Sequence, residues 1–148
     1  MRRRVAVTLW VFPLLLLASG CVGEGPVLAD EVPPSIADVQ VSRERLTYLG
    51  GTVFISARVT DPSGVHSVWA VVRRPDGSEE RADFRAGSGG LYEGQLTLRP
   101  NTRSDGQAEE YQVWVLARDL RGNQTQRVGD GIRLTVTAPS RPPTPPSL

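Results

Sequence analysis

A single cysteine, Cys21, and a single histidine, His66, bound the chemistry open to this 148-residue chain. Nucleophilic catalysis needs a nucleophile within reach of an oriented base. His66 lies between Val65 and Ser67 at the start of an alternating apolar run, and no Gly-x-Ser-x-Gly elbow accompanies it. It reads as a surface or strand-edge side chain. Zinc sites draw about three or four ligands from Cys and His, more than the chain holds. Oxygen ligands suited to calcium sit in turn segments at Asp61, Asp119, Asn123 and Asp130. Those turns use Asp and Asn for side-chain to backbone bonds in any case, and no dense Asp-x-Asp-x-Asp run joins them. Glu79-Glu80 and Glu109-Glu110 are adjacent carboxylates, but neighbours on a strand point to opposite faces, so neither pair presents two acids to one substrate. No catalytic residue, metal ligand or cofactor is assigned, and the chain is read as a non-enzyme.

The cysteine has a different setting. Met1-Arg2-Arg3-Arg4 is followed by Val5 to Leu17 without a charge, then by small residues. A basic start, a short apolar run and a small-residue cleavage site make a secretory signal peptide. The run falls short of the roughly 20 residues that cross a bilayer, and Pro13 interrupts it. The ending Leu17-Ala18-Ser19-Gly20-Cys21 resembles the lipobox of bacterial lipoprotein signal peptides, with Ala18 where a larger aliphatic residue is commoner. That resemblance implies removal of residues 1–20, acylation of Cys21 and attachment to a membrane through the lipid. The alternative is an ordinary cleaved signal that leaves a free thiol. Val22 is not the aspartate that marks inner-membrane retention in such lipoproteins, which implies the outer membrane in a cell that has one, and otherwise the outer face of the cell membrane. Residues 21–34 are rich in Gly, Pro and acids and read as a flexible tether.

All 17 basic residues are arginine. Without Arg2, Arg3 and Arg4, 14 arginines face 16 carboxylates, a net charge of −2. A nearly neutral body with no basic cluster lacks the footprint that nucleic-acid binding needs. Residues 139–148 are dominated by proline and read as a disordered tail, either a plain spacer or a P-x-x-P recognition peptide. Residues 35–138 remain as one domain.

In that body apolar residues alternate with period two, and turn chemistry interrupts them at regular intervals. The pattern predicts seven strands, at 36–42, 52–60, 65–73, 78–85, 91–98, 110–118 and 132–137. Asp61-Pro62-Ser63-Gly64 and Pro75-Asp76-Gly77 are the clearest turns. No stretch carries a helical stripe. An all-β, seven-stranded sandwich follows. Three stretches, Thr52 to Val65, Tyr92 to Leu98 and Glu109 to Asn123, resemble bacterial immunoglobulin-like and fibronectin type III-like domains. In the last of them Tyr111, Val113, Val115, Ala117, Asp119, Gly122 and Asn123 fit the family's sixth strand and turn. The resemblance implies an immunoglobulin-like β-sandwich with the third and sixth strands adjacent in one sheet, here without the disulfide of antibody domains.

The alternation then isolates one feature. If Val68, Ala70 and Val72 face the core, Trp69 and Val71 point outward; if Val113, Val115 and Ala117 face it, Trp114 and Leu116 do too. Trp69, Val71, Trp114 and Leu116 would form an apolar patch on the sheet's outer face, a contact surface for an envelope protein or a glycan. Two other arrangements fit the same residues: one strand has the reverse phase, or the hairpin after Pro75 folds over the patch. The expected role is a non-enzymatic interaction module anchored in the cell envelope, with a structural spacer lacking a discrete ligand as the alternative.

Overall fold

The computed structural model describes residues 31–140. The signal peptide, Cys21, most of the tether and all but the first two residues of the tail lie outside them.

Nine strand segments and no helix occur among the described residues: β1 (Ser35–Val41), β2 (Arg45–Leu46), β3 (Gly51–Thr60), β4 (Val65–Arg73), β5 (Glu79–Asp83), β6 (Arg85–Ala86), β7 (Leu91–Leu98), β8 (Glu109–Asp119) and β9 (Ile132–Val136). Seven fall where the alternation places strands. The count of seven is corrected by the two-residue β2 and β6, which are too short to show a period. The strands form a four-stranded sheet, β1-β3-β7-β6, and a five-stranded sheet, β2-β9-β8-β4-β5, as in a β-sandwich. Pairing is antiparallel except between β2 and β9.

The core lies between the sheets and follows the alternation. From β3 it takes Val53, Ile55, Ala57 and Val59, from β4 Val68, Ala70 and Val72, and from β8 Tyr111, Val113 and Ala117. β7 adds Leu96 and Leu98, and β9 adds Leu134 and Val136. Leu46 is also buried, which explains why so short a strand as β2 persists against β9.

The turns close as their residues dictate. Asp61 Oδ1 accepts from the Ser63 backbone N–H at 2.8 Å, and the Gly64 N–H donates to the Asp61 carbonyl at 3.1 Å. The Gly77 N–H donates to the Arg74 carbonyl at 2.9 Å, holding the β4–β5 hairpin. Buried Asn101 organises the loop after β7: its Nδ2 donates to the carbonyls of Gln107 at 2.8 Å and Thr137 at 3.2 Å. Edges are guarded. In β1 the register to β3 shifts between Ala37 and Gln40, where Asp38 has φ of 49°, and β5 reads Glu-Glu-Arg-Ala-Asp. Bulges and charges of this kind discourage edge-to-edge association.

Leu134 is fully buried in the inter-sheet core. Leu134→Ala is expected to lower unfolding free energy by about 2–5 kcal/mol, measured by urea denaturation. A loss below about 1 kcal/mol would mean that the two sheets do not close on this side chain as described.

Candidate functional site

β4 and β8 are adjacent and antiparallel, with Trp69 opposite Leu116 and Val71 opposite Trp114. The four candidate residues therefore share the outer face of the five-stranded sheet. They are not open to solvent. Trp69, Val71, Trp114 and Leu116 are only 4%, 9%, 7% and 5% exposed. The expectation of an exposed contact patch is corrected, and the cover has a definite chemical makeup.

Arginines cover both rings. The Arg81 guanidinium, on β5, lies 4.2 Å from the centre of the Trp69 ring. Arg73 and Arg127 lie 5.1 and 5.2 Å from the Trp114 ring. A guanidinium is weakly hydrated and stacks on aromatic faces, each contact adding about 0.5–2 kcal/mol according to its desolvation. The segment between β8 and β9 completes the cover, for Trp114 Nε1 donates to the Gly129 carbonyl at 3.1 Å. Glu79 locks the assembly. Its Oε1 and Oε2 each accept from Arg127 at 2.7 Å, and Oε1 also accepts from Arg73 at 3.2 Å. The bonds from Arg127, and behind them those from Arg73, hold the Glu79 carboxyl down at about 2.

The remaining chemical candidates are accounted for separately. His66 is exposed on β4. Glu79 binds Arg127 and Arg73, whereas Glu80 pairs with Arg74. Glu109 accepts from the Tyr111 hydroxyl at 3.3 Å, and Glu110 faces Arg133 at 3.8 Å. Adjacent acids thus go to different partners. Asp61 and Asp119 lie in abutting turns, joined by a bond from the Leu120 N–H to the Gly64 carbonyl at 3.0 Å. Asp119 Oδ1 accepts from the backbone N–H groups of Arg121, Gly122 and Asn123 at 2.8, 2.6 and 2.8 Å. Burial raises the Asp119 pKa, but these bonds and the Asn123 side chain outweigh it, and the net direction is down. Asp61 Oδ2 is buried without a hydrogen-bond partner. Among the described residues no group of three or more Cys, His, Asp or Glu converges to hold a metal.

Sequence reading missed an apolar groove of about 460 Å³ at the side of the sandwich. Its walls come from Ile36 and Val39 of β1, Val113 and Val115 of β8, Ile132 of β9, and Val128 between the last two. No local pattern announces it, because the walls come from both sheets and a connecting segment.

No family model and no curated protein matches the chain. Among solved structures it is similar to a DUF4785 family protein from Legionella pneumophila, at 17% identity and a TM-score of 0.40. That match covers 71% of this chain and 27% of the other, so the chain spans about a quarter of that protein's length.

Two outcomes are expected. Trp69→Ser with Trp114→Ser should reduce unfolding free energy by about 3–5 kcal/mol or more, seen as a large fall in melting temperature; an unchanged melting temperature would mean that the rings are not packed. Acid should release the clamp. Because the folded pKa of Glu79 lies below its ordinary 4.5, the stabilisation it brings is complete above 4.5 and is lost as pH falls through about 2. The Trp114 indole resonance should follow that titration, and Glu79→Gln should remove it. Persistence of the same titration in Glu79→Gln would assign it to another group.

Proposed function

We propose that this is an exported, lipid-anchored protein of the bacterial cell envelope, attached through acylated Cys21 and carrying one immunoglobulin-like or fibronectin type III-like domain as a non-enzymatic interaction module. The charged start, the apolar run and the Leu17-to-Cys21 ending support the anchor. Two or more acyl chains give lasting membrane attachment where one does not. The orders β1-β3-β7-β6 and β9-β8-β4-β5 support the domain type, because immunoglobulin-like sandwiches divide their strands between sheets in this way. The observation that carries the interaction role is the apolar groove between β1 and the β8–β9 side, since concave, mostly apolar clefts of about 300–1,000 Å³ are where proteins take ligands. A membrane-tethered module presenting such a groove would engage an envelope protein in preference to a nucleic acid.

A second reading, a spacer without a discrete ligand, is favoured by the sealed tryptophan face. With Trp69 and Trp114 under arginines, the outer surface of the five-stranded sheet has no aromatic platform for a sugar ring.

The anchor is tested by intact-mass analysis of the protein from bacterial membranes. The expected product begins at residue 21 and carries the added mass of two or three acyl chains, and Cys21→Ser should appear in the soluble fraction. An unacylated residue 21 with the preceding residues retained would overturn the reading.

A further inference from the structure

The groove coincides with a break in the β8–β9 ladder. Pairing between these strands runs from Glu109↔Val136 to Val113↔Ile132 and then stops. Register pairing on that side of β8 resumes only at the Arg118↔Gln124 bridge, beside which Ala117 bonds Thr125. Over this interval β8 advances five residues, from 113 to 118, while the returning chain uses eight, from 124 to 132. The surplus arches outward to cover Trp114, where Gly129 takes the indole N–H. It does not run beside β8.

Val115 faces the space left behind. Ala117 turns its backbone to this side: its N–H donates to Thr125 Oγ1 at 2.8 Å, and its carbonyl accepts from the Thr125 N–H at 3.0 Å. Backbone groups two residues apart on a strand point the same way, so the N–H and C=O of Val115 also point into the break. Among the described residues no register partner faces them on that side. The inward side chains of Val113 and Val115, together with Ile36, Val39 and Ile132, line the apolar floor beneath.

We infer that this break is a strand-addition site that accepts an extended peptide from a protein partner. The interval calls for both a backbone donor and a backbone acceptor, which a peptide supplies and an aliphatic chain does not. Alternate side chains of an extended peptide would enter the apolar floor while the others point to solvent. Charge around the groove favours basic flanks. Asp38 and Asp130, next in sequence to lining residues, are exposed acids, whereas Arg127 is held by both oxygens of Glu79. Asp38 faces Arg58 at 3.4 Å in a pair that is more than half exposed, so it is only partly neutralised.

This inference deepens the interaction-module reading but does not depend on the lipid: the readout below concerns Val115, whereas the anchor is read from the mass at residue 21. The probe is a capped peptide, Arg-Leu-Thr-Val-Arg, built on the Leu134-to-Val136 sequence that already pairs with β8. It is titrated into the isotope-labelled full-length chain in micelles, with amide exchange and methyl shifts followed by NMR. In the free chain the Val115 amide should exchange faster than those of Val113 and Ala117. The peptide should slow it by about tenfold or more and shift the methyls of Val39 and Ile132. Val128 is 85% exposed, so Val128→Asp should keep the melting temperature and disturb the groove. Because its new acid also attracts basic flanks, the peptide Ala-Leu-Thr-Val-Ala is used with it and should bind more weakly than to the unaltered chain. A Val115 amide already as protected as its neighbours would overturn the site, as would no response at millimolar peptide. Methyl shifts without Val115 protection would replace it with a simple apolar pocket. Protection that rises with protein concentration alone would assign the groove to a second copy of the chain.

Discussion

The pairing of β4 with β8 is the constraint on which the rest of the structure depends. These strands lie side by side within the five-stranded sheet, and both carry apolar side chains on both faces. Toward the core they present Val68, Ala70, Val72, Val113 and Ala117, and away from it Trp69, Val71, Trp114 and Leu116. A strand pair of this kind belongs in the interior of a sheet, where each backbone has neighbours and each face has something to pack against. The inner face is satisfied by the opposing sheet. Among the described residues no further sheet packs on the outer face, which is covered by what lies nearby.

That cover brings together the end of β4, the edge strand β5 and the segment before β9. Arg73, Arg81 and Arg127 lay their planar groups over the rings, and Glu79 joins two of them. Arginine suits the task because its stem and the face of its head group bury on apolar surface while its edge keeps hydrogen bonds. The ion pairs alone are exposed and would contribute little. Their consequence is positional, for they hold guanidinium groups where they exclude water from the indoles.

Covering Trp114 also opens the groove. A strand running straight back along β8 would complete the ladder and forgo the cover that Arg127 and the Gly129 carbonyl give the ring. The chain instead arches over the ring and rejoins β8 at Ile132. The sealed aromatic face and the unpaired interval at Val115 are thus two results of one diversion. Within the proposed role, recognition moves from the broad face of the sheet to its side, and from aromatic stacking to backbone pairing.

Much of the fold was legible because its signals are local. Alternation in Val53, Ile55, Ala57 and Val59 marks a strand and its inward face whatever lies across from it, and Asp61 or Gly77 specify turns through their own backbone bonds. The placement of Trp69, Val71, Trp114 and Leu116 on one face follows from the same period. The position of Arg81 near Trp69 was within reach too, since counting back from the turn at Gly77 sets Arg81 opposite Val71. Exposure was another matter. Arg127 meets Glu79 across 48 residues of chain, and two-residue β2 shows no period at all. The groove depends on the relation of β1 to a segment far along the sequence. Sequence by itself determined strands, turns and the sidedness of each strand, because neighbouring residues set these. Tertiary structure alone decided which apolar face was covered and which was left open, because burial depends on groups that only folding brings together.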